Sequence, residues 1–237
     1  MRRLTVGIAS FALFAMSMGT TQVARAGEPP ATIDPRNFTH VVDNPWFPLK
    51  PGVTRVYAGV RDGKAARDVF YVTGRSRVIN GVRCTVVRDL YYLDGKLHER
   101  TRDYFAQHKD GTVWYFGEDT AELDENGKVI SREGTWHAGV DGAIAGVFME
   151  ARPGVGHTFH QEFYKGHAED QYRVLSLTGA VETPIGWFTN VQVTKEWTRL
   201  EPGVFSHKYY VHGLGQVAEK NVTGGDEHLD LVSISSE

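Results

Sequence analysis

The sequence has one cysteine in 237 residues, no surplus of basic residues and no long apolar run after its first 26 residues. A single cysteine excludes a fold held together by internal disulfides. Because 26 Lys and Arg stand against 29 Asp and Glu, little positive charge is left to neutralise phosphates, so nucleic-acid binding is disfavoured. Glycine, at 26 residues, is too scarce for a collagen repeat, and an aromatic content of 11% argues against disorder.

The sequence also lacks the common signatures of catalytic and cofactor sites. It contains no G-x-S-x-G elbow, no phosphate-binding P-loop, no dinucleotide glycine fingerprint and no calcium-binding EF-hand loop. Cys84 lies in a stretch rich in Val and Thr, which is typical of a small buried side chain on a strand. We therefore predict no cofactor, and the balance of the sequence is against an enzyme.

The first 26 residues have the order of a secretory signal peptide. Arg2 and Arg3 precede an apolar run at residues 4–18, and an A-R-A triplet follows at residues 24–26. This order predicts cleavage after Ala26. The run is short for a membrane span, so we expect no membrane span after cleavage and a secreted or periplasmic protein. Cleavage removes three arginines and changes the net charge from −3 to −6.

Regularly spaced turn signals predict antiparallel strands in the rest of the chain. We predict a flexible, polar and proline-rich lead-in at residues 27–35 and a single β-domain at residues 36–237. Asn or Asp followed by Gly favours a tight hairpin, because both positions accept positive φ. Five such pairs occur at intervals of 14 to 18 residues: Asp62-Gly63, Asn80-Gly81, Asp94-Gly95, Asp110-Gly111 and Asn126-Gly127.

The second half continues the strand pattern with weaker turn signals. No segment keeps a helical period over three turns, although residues 118–123 are compatible with a short helical turn. We predict an all-β or nearly all-β fold, an antiparallel up-and-down meander of about eleven strands curled into a half-barrel or barrel, with little helix. Strands are expected near residues 157–164, 171–177, 187–200, 203–211, 216–222 and 229–234.

Adjacent aromatic residues indicate that the sheet is apolar on both faces. Neighbours on a strand point to opposite faces, and the runs include Trp114-Tyr115-Phe116 and Tyr91-Tyr92. The face outside the core needs a cover, which could be a second layer of the same sheet, a ligand or a protein partner. Residues 44–52 carry three prolines that exclude a helix, and we expect them to form an extended clasp anchored by aromatic side chains.

Residues 137–156 interrupt the meander with five glycines and several apolar residues. A connection of this length is often a lid or a plug, and we predict a lid at residues 140–149 over a pocket. The alternative is permanent structure that caps the core. The predicted ligand-binding residues are Trp114, Phe116, Trp136, Val140, Ile144, Phe148 and Met149.

Histidines are frequent between residues 137 and 167, and His157, His160 and Glu162 are the candidates for a metal site. Three or four converging ligands are needed for zinc or copper, and positions three apart on a strand face opposite ways. Whether a metal binds is therefore left open by the sequence. The carboxylates at residues 118–125 and 169–170 are interpreted as solvated turns.

Residues 96–103 are polar on both faces, which is unusual for a strand inside a sheet. Charges on both faces are typical of an edge strand, where they prevent unwanted pairing. The alternative is a polar rim around a ligand site, with Arg100 and Arg102 holding an anion.

Residues 44–57, N-P-W-F-P-L-K-P-G-V-T-R-V-Y, resemble the opening of an uncharacterised family of secreted bacterial β-rich proteins. The blocks at residues 114–119, 195–198, 207–210 and 213–215 look like further shared segments, while Arg55 stands where the family usually has an aromatic residue. The resemblance implies a secreted β-domain and carries no catalytic residues. In architecture the predicted plan is distantly similar to the half-barrels of lipoprotein carriers, which is a weak warrant for function.

Together these patterns favour an exported, non-enzymatic β-domain that binds an apolar or amphipathic small molecule. Two alternatives stay open: a hydrolase or metalloenzyme with a His/Glu site, and a structural or interaction domain of the cell envelope. The sequence gives no indication of the oligomeric state.

Overall fold

The computed structural model describes residues 33–236, which contain one turn of 3-10 helix and sixteen strands. The predicted signal peptide and residues 27–32 of the predicted lead-in lie outside the described residues. The 3-10 turn is Pro35–Asn37, and no helix in the described part is long and apolar enough to cross a membrane. The strands are β1 Phe38–Thr39, β2 Val53–Arg61, β3 Lys64–Ile79, β4 Val82–Leu93, β5 Lys96–His108, β6 Val113–Leu123, β7 Val129–Ser131, β8 Trp136–His137, β9 Ile144–Met149, β10 Thr158–His160, β11 Glu162–Phe163, β12 Asp170–Thr183, β13 Gly186–Thr198, β14 Phe205–Val211, β15 Gly215–Thr223 and β16 His228–Ser236.

All strands join one antiparallel sheet that curls into a nearly closed barrel. The order is β10-β12-β13-β14-β15-β16-β2-β3-β4-β5-β6-β9-β11, with β1 on β5 and with β7 and β8 on β6. The segment at residues 158–163 joins the two ends of this order, because β10 pairs with β12 while β11 pairs with β9. At that seam the backbone N–H of Gln161 donates to the carbonyl of Asp170 over 2.8 Å.

The five predicted turn pairs all lie between consecutive strands, so the meander of the first half is confirmed. Asp62, Asn80 and Asp94 have positive φ, as does the glycine after each, which is the backbone of a type I′ turn. At the other two pairs only the glycine has positive φ. The local chemistry of these turns therefore sets the register of the hairpins β2–β3, β3–β4 and β4–β5.

Three details of the predicted fold are wrong. Sixteen strands replace about eleven, because the second half contains several strands of only two or three residues. Residues 118–123 are strand rather than a helical turn, since residues 118–122 pair with β5 and Leu123 pairs with β7. Residues 140–149 were expected as a lid, but most of them form β9, which bonds to β6 on one edge and to β11 on the other.

The predicted clasp closes one end of the barrel. Phe47 and Leu49 are buried, and the Phe47 ring packs against Phe105 and Phe148 at centroid distances of 5.2 and 4.5 Å. Arg55, buried on β2, donates from Nη2 to the carbonyl of Pro48 over 2.9 Å. Arg55 thus ties the clasp to the wall of the barrel.

The outer face of β6 is covered by the chain before the clasp. Phe38 packs edge-on against Trp114 and Phe116, at 5.9 and 5.3 Å between ring centroids. Tyr115, between those two, faces inward and stacks on Phe105 at 4.8 Å. The aromatic run at residues 114–116 therefore packs on both sides of β6. Its outer side is covered by a second layer of the same sheet, which is one of the three covers considered from the sequence.

Candidate functional site

Polar side chains occupy the inner face of the barrel away from the clasp. On β5, Glu99, Thr101 and Asp103 alternate along one face, and Asp103 lies opposite Glu118 of β6. Thr101 lies opposite Asp89 of β4. β5 pairs with β4 and β6 throughout residues 99–103, so the prediction of an edge strand is wrong. Its inner face is polar because it lines the polar interior of the barrel, which we call the acidic lumen.

A cavity of about 470 Å³ opens at this end of the barrel. Its walls are the ends of β2 and β12–β15 with the connections between them. The cavity has seven acidic and two basic lining residues, and the apolar part of its wall includes Val204 and Phe205. The charged lining residues are Arg61, Asp62, Asp170, Glu196, Glu201, Lys208, Glu219, Asp226 and Glu227.

Lys208 is the cation deepest in this site. Its Nζ lies 2.9 Å from Glu196 Oε2 and 3.7 Å from Glu219 Oε2. Burial opposes the charge on Lys208, but the two carboxylates outweigh burial and hold its pKa well above the ordinary value. Ser206 Oγ donates to Glu219 over 3.0 Å, and Thr194 Oγ1 donates to Glu196 over 3.0 Å. The geometry of both carboxylates is therefore set by several partners.

Further carboxylates continue from Lys208 into the barrel. Burial raises the pKa of Asp68 to about 6 and raises that of Asp89 well above its ordinary value, where the charge of Asp68 raises it further. Burial and then Asp89 raise the pKa of Asp103 to about 8, although Tyr115 Oη donates to Asp103 over 2.7 Å. At neutral pH part of this row is therefore held in the protonated form.

Glu162 extends the acidic row to the seam of the barrel. Burial, followed by the charge of Asp170, raises the pKa of Glu162 to about 8. Trp136 Nε1 donates to Glu162 Oε2 over 2.7 Å and limits the rise. Glu118 is a third carboxylate near Asp103 and Glu162. Burial, followed by the negative charges of those two residues, raises the pKa of Glu118 well above its ordinary value.

Two buried polar groups beside these carboxylates have no hydrogen-bond partner within residues 33–236. They are the hydroxyl of Tyr172 and the side-chain carbonyl of Gln192, and both residues are at most 1% exposed. Tyr172 lies directly opposite Glu196 in the sheet, and Gln192 lies opposite Tyr210. Their free hydrogen-bonding capacity is directed to the inner face on which Lys208 lies.

The seven predicted ligand-binding residues lie elsewhere. Phe116, Trp136 and Met149 are buried in the main core, and Phe148 packs between Phe47, Phe105 and Tyr115. Trp114 is half-buried under Phe38, whereas Val140 and Ile144 are 52% and 37% exposed. None of the seven lines the acidic cavity. Ligand binding by these residues stays a prediction.

The three metal candidates have separate partners. His157 Nδ1 lies 2.9 Å from Glu150 Oε1, the His160 ring packs edge-on against Phe163, and Glu162 accepts from Trp136. Across residues 33–236 no three His, Cys, Asp or Glu side chains are grouped so that they could hold a metal ion. Cys84 is fully buried, and burial raises the pKa of its thiol to about 12, as expected for a structural side chain.

The sequence contained a signal for the acidic lumen that the interpretation as an edge strand missed. The alternation of Glu99, Thr101 and Asp103 is the pattern of one strand face, and Asp89 and Asp68 lie on the two preceding strands, β4 and β3. Glu196, Lys208 and Glu219 gave no local signal, because the barrel brings them together from three strands.

Comparisons with known proteins found solved structures of low similarity. No family model and no curated protein matches the chain. A solved structure from Bacteroides fragilis NCTC 9343, described as an exported protein with a YmcC-like fold, is 14% identical with a TM-score of 0.43, over 81% of this chain and 99% of that chain. A lipoprotein structure from Parabacteroides distasonis ATCC 8503 is 9% identical with a TM-score of 0.42, over 80% and 98%. We draw no functional conclusion from likeness at this level.

Proposed function

We propose that this protein is an exported, non-enzymatic β-barrel that binds a small amphipathic molecule carrying an ammonium group. The observation that carries the proposal is the cavity of about 470 Å³ with seven carboxylates and two cationic side chains in its wall. The volume lies within the range of ordinary ligand pockets, roughly 300–1,000 Å³. Export is proposed from the order of the first 26 residues.

The charge of the site favours a cation over an anion. Glu196 and Glu219 share the single Lys208, and Asp68 beyond it, whose pKa burial raises to about 6, adds further negative charge at neutral pH. An ammonium group that enters this field pairs with carboxylates at low effective dielectric, where the attraction is stronger than in water. It also favours their ionised form, so binding should release protons.

The uncharged polar and apolar parts of the cavity wall favour an organic ligand over a simple ion. Thr198 and Asn221, which line the cavity, offer hydrogen-bonding groups to a polar part of the ligand. Val204, Phe205 and the ring of Pro202 offer apolar contact at the rim. The pocket predicted around Trp136 and Phe148 remains a separate proposal, in which the ligand would be apolar.

Isothermal titration calorimetry with hexylammonium, hexanol and hexanoate tests the proposal, because the three probes share one alkyl chain and differ in charge. We expect saturable binding of one hexylammonium per chain, weaker binding of hexanol and none of hexanoate. Repeating the titration in buffers of different ionisation enthalpy counts the protons released. Equal affinity for hexanol would place the ligand in an apolar pocket, and stronger binding of hexanoate would overturn the proposal.

Two matched variants locate the site. Glu219→Gln keeps the shape and the hydrogen bond from Ser206 while removing a charge, and it should weaken hexylammonium about tenfold. Glu182→Gln removes the same charge from an exposed position on β12 and should leave affinity unchanged. Equal losses in both variants would show that only net charge matters.

A further inference from the structure

The outer face of β4, β5 and β6 carries a second concavity of opposite character. It has a volume of about 420 Å³ and is lined by four arginines, Arg88, Arg100, Arg102 and Arg132. The first three project from adjacent strands, and Arg132 follows β7, which pairs with the far end of β6. All four side chains are exposed. We call this concavity the arginine groove.

The arginines of the groove have no salt-bridge partner within the described part of the chain. Arg88 and Arg102 are direct cross-strand partners, and like charges in that arrangement destabilise a sheet. Arg88 also lies over the Tyr71 ring, 5.3 Å from its centroid. The sheet thus carries a repulsion that an anion in the groove would remove.

One carboxylate lines the groove, and it is already neutralised by other residues. Asp119 Oδ2 accepts from Arg77 and Tyr104, each over 2.5 Å, and Asp119 Oδ1 lies 2.9 Å from His137 Nε2. Arg77 does not line the groove. Asp119 therefore leaves the charge of the four arginines largely uncompensated.

We propose that the arginine groove binds a ligand that carries phosphoryl groups. The planar guanidinium fork matches the oxygens of a phosphate with two parallel hydrogen bonds, and it stays charged at every physiological pH. Four such groups exceed what one carboxylate can neutralise and suit an anion with several charges. The groove lies on the opposite face of the strands that carry the acidic lumen, so this site is independent of the function proposed above.

Titration of the protein with inorganic pyrophosphate at low ionic strength tests the proposal. We expect saturable binding of one pyrophosphate per chain, with weaker binding of the monophosphate. Arg100→Gln with Arg102→Gln should reduce the affinity for pyrophosphate by at least about tenfold. Arg83→Gln serves as the matched control, because Arg83 is an exposed arginine of β4 that does not line the groove. Thermal melts of each variant confirm that the fold is kept.

A second arm distinguishes the source of the phosphoryl group. The protein is sedimented with vesicles of phosphatidylcholine alone or mixed with phosphatidic acid, with and without pyrophosphate. Capture by the phosphatidic acid vesicles that pyrophosphate reverses indicates a lipid headgroup, and pyrophosphate binding without capture indicates a soluble phosphate ester. Binding of neither probe would overturn the proposal, as would an equal loss of affinity in the Arg83→Gln control.

Discussion

The two faces of strands β4, β5 and β6 carry opposite charge within the same stretch of sequence. On β5, Glu99 and Asp103 face the lumen, whereas Arg100 and Arg102 face the groove outside. Alternation along a strand allows this separation, because successive side chains point to opposite sides. A strand that looks uniformly polar in the sequence can therefore separate two sites of different chemistry.

The difference between the faces lies in how each group responds to its surroundings. Inside, burial favours the neutral form, so the pKa values of Asp103 and Glu162 rise to about 8. Outside, arginine stays charged and solvent screens its repulsion. The inner face can exchange protons near neutral pH, while the outer face offers a constant positive charge.

The largest expected effect contrasts the removal of one cation from each face. Lys208→Met leaves the buried Glu196 and the half-buried Glu219 without their shared partner, which should cost about 3 kcal/mol, the low end for a fully buried pair, in the free energy of unfolding at pH 8. Arg102→Met removes an exposed cation and should change stability by less than about 0.5 kcal/mol. Urea denaturation measures both, and equal small losses would show that the lumen is as well solvated as the surface.

The next effect is the dependence of stability on pH. Asp103 keeps its proton to about pH 8 in the folded protein but loses it near pH 4 when unfolded, so its contribution to stability is full below about pH 4 and falls as pH rises towards 8. Asp103→Asn should flatten the decline between pH 5 and 8 by up to about 1.4 kcal/mol per pH unit.

Asp119→Asn on the outer face provides the control for this experiment. Burial alone would raise the pKa of Asp119, but Tyr104 and Arg77 together hold it below the ordinary value. Its contribution is therefore present above the unfolded pKa and is lost as pH falls, which is the opposite sign. Because the contribution of Asp119 is lost only below about pH 4, urea midpoints are measured from about pH 2 to pH 8. A change of slope in the same direction in both variants would contradict the comparison.

The smallest effect compares two tyrosine–aspartate hydrogen bonds across the sheet. Tyr115→Phe removes the donor to Asp103 inside, and Tyr104→Phe removes one of the donors to Asp119 outside. Each should cost about 1 kcal/mol at neutral pH. The cost of Tyr115→Phe should grow from pH 6 to 9 as Asp103 ionises, whereas that of Tyr104→Phe should stay level. Parallel curves would show that Asp103 does not titrate in this range.

The β-class and the first hairpins could be predicted because their signals are local. An Asn-Gly or Asp-Gly pair acts on two adjacent backbone positions, as the positive φ of Asn80 and Gly81 shows. The clasp could also be predicted from the sequence. Its prolines exclude a helix, and its apolar residues Phe47 and Leu49, which are buried, favour packing against the domain.

The cluster of Glu196, Lys208 and Glu219 could not be predicted from local signals in the sequence. Glu196, Lys208 and Glu219 meet because β14 lies between β13 and β15 with a particular register, and a shift by one residue would turn each to the other face. Apolar residues such as Trp136 and Met149 suggested a pocket, but their hydrophobicity serves the core equally well. Composition does not distinguish these two uses.

The pairing of β2 with β16 has a consequence for how the chain folds. Partners such as Val60 and His228 are roughly 170 residues apart in sequence, so the pairing of β2 with β16 forms only after a very large loop has closed. Closure of the barrel should therefore be a slow and late step of folding. The hairpins of the first half should form well before it. Until that moment β2 presents an open edge, and this is the stage at which the chain is most exposed to misassembly with a second copy.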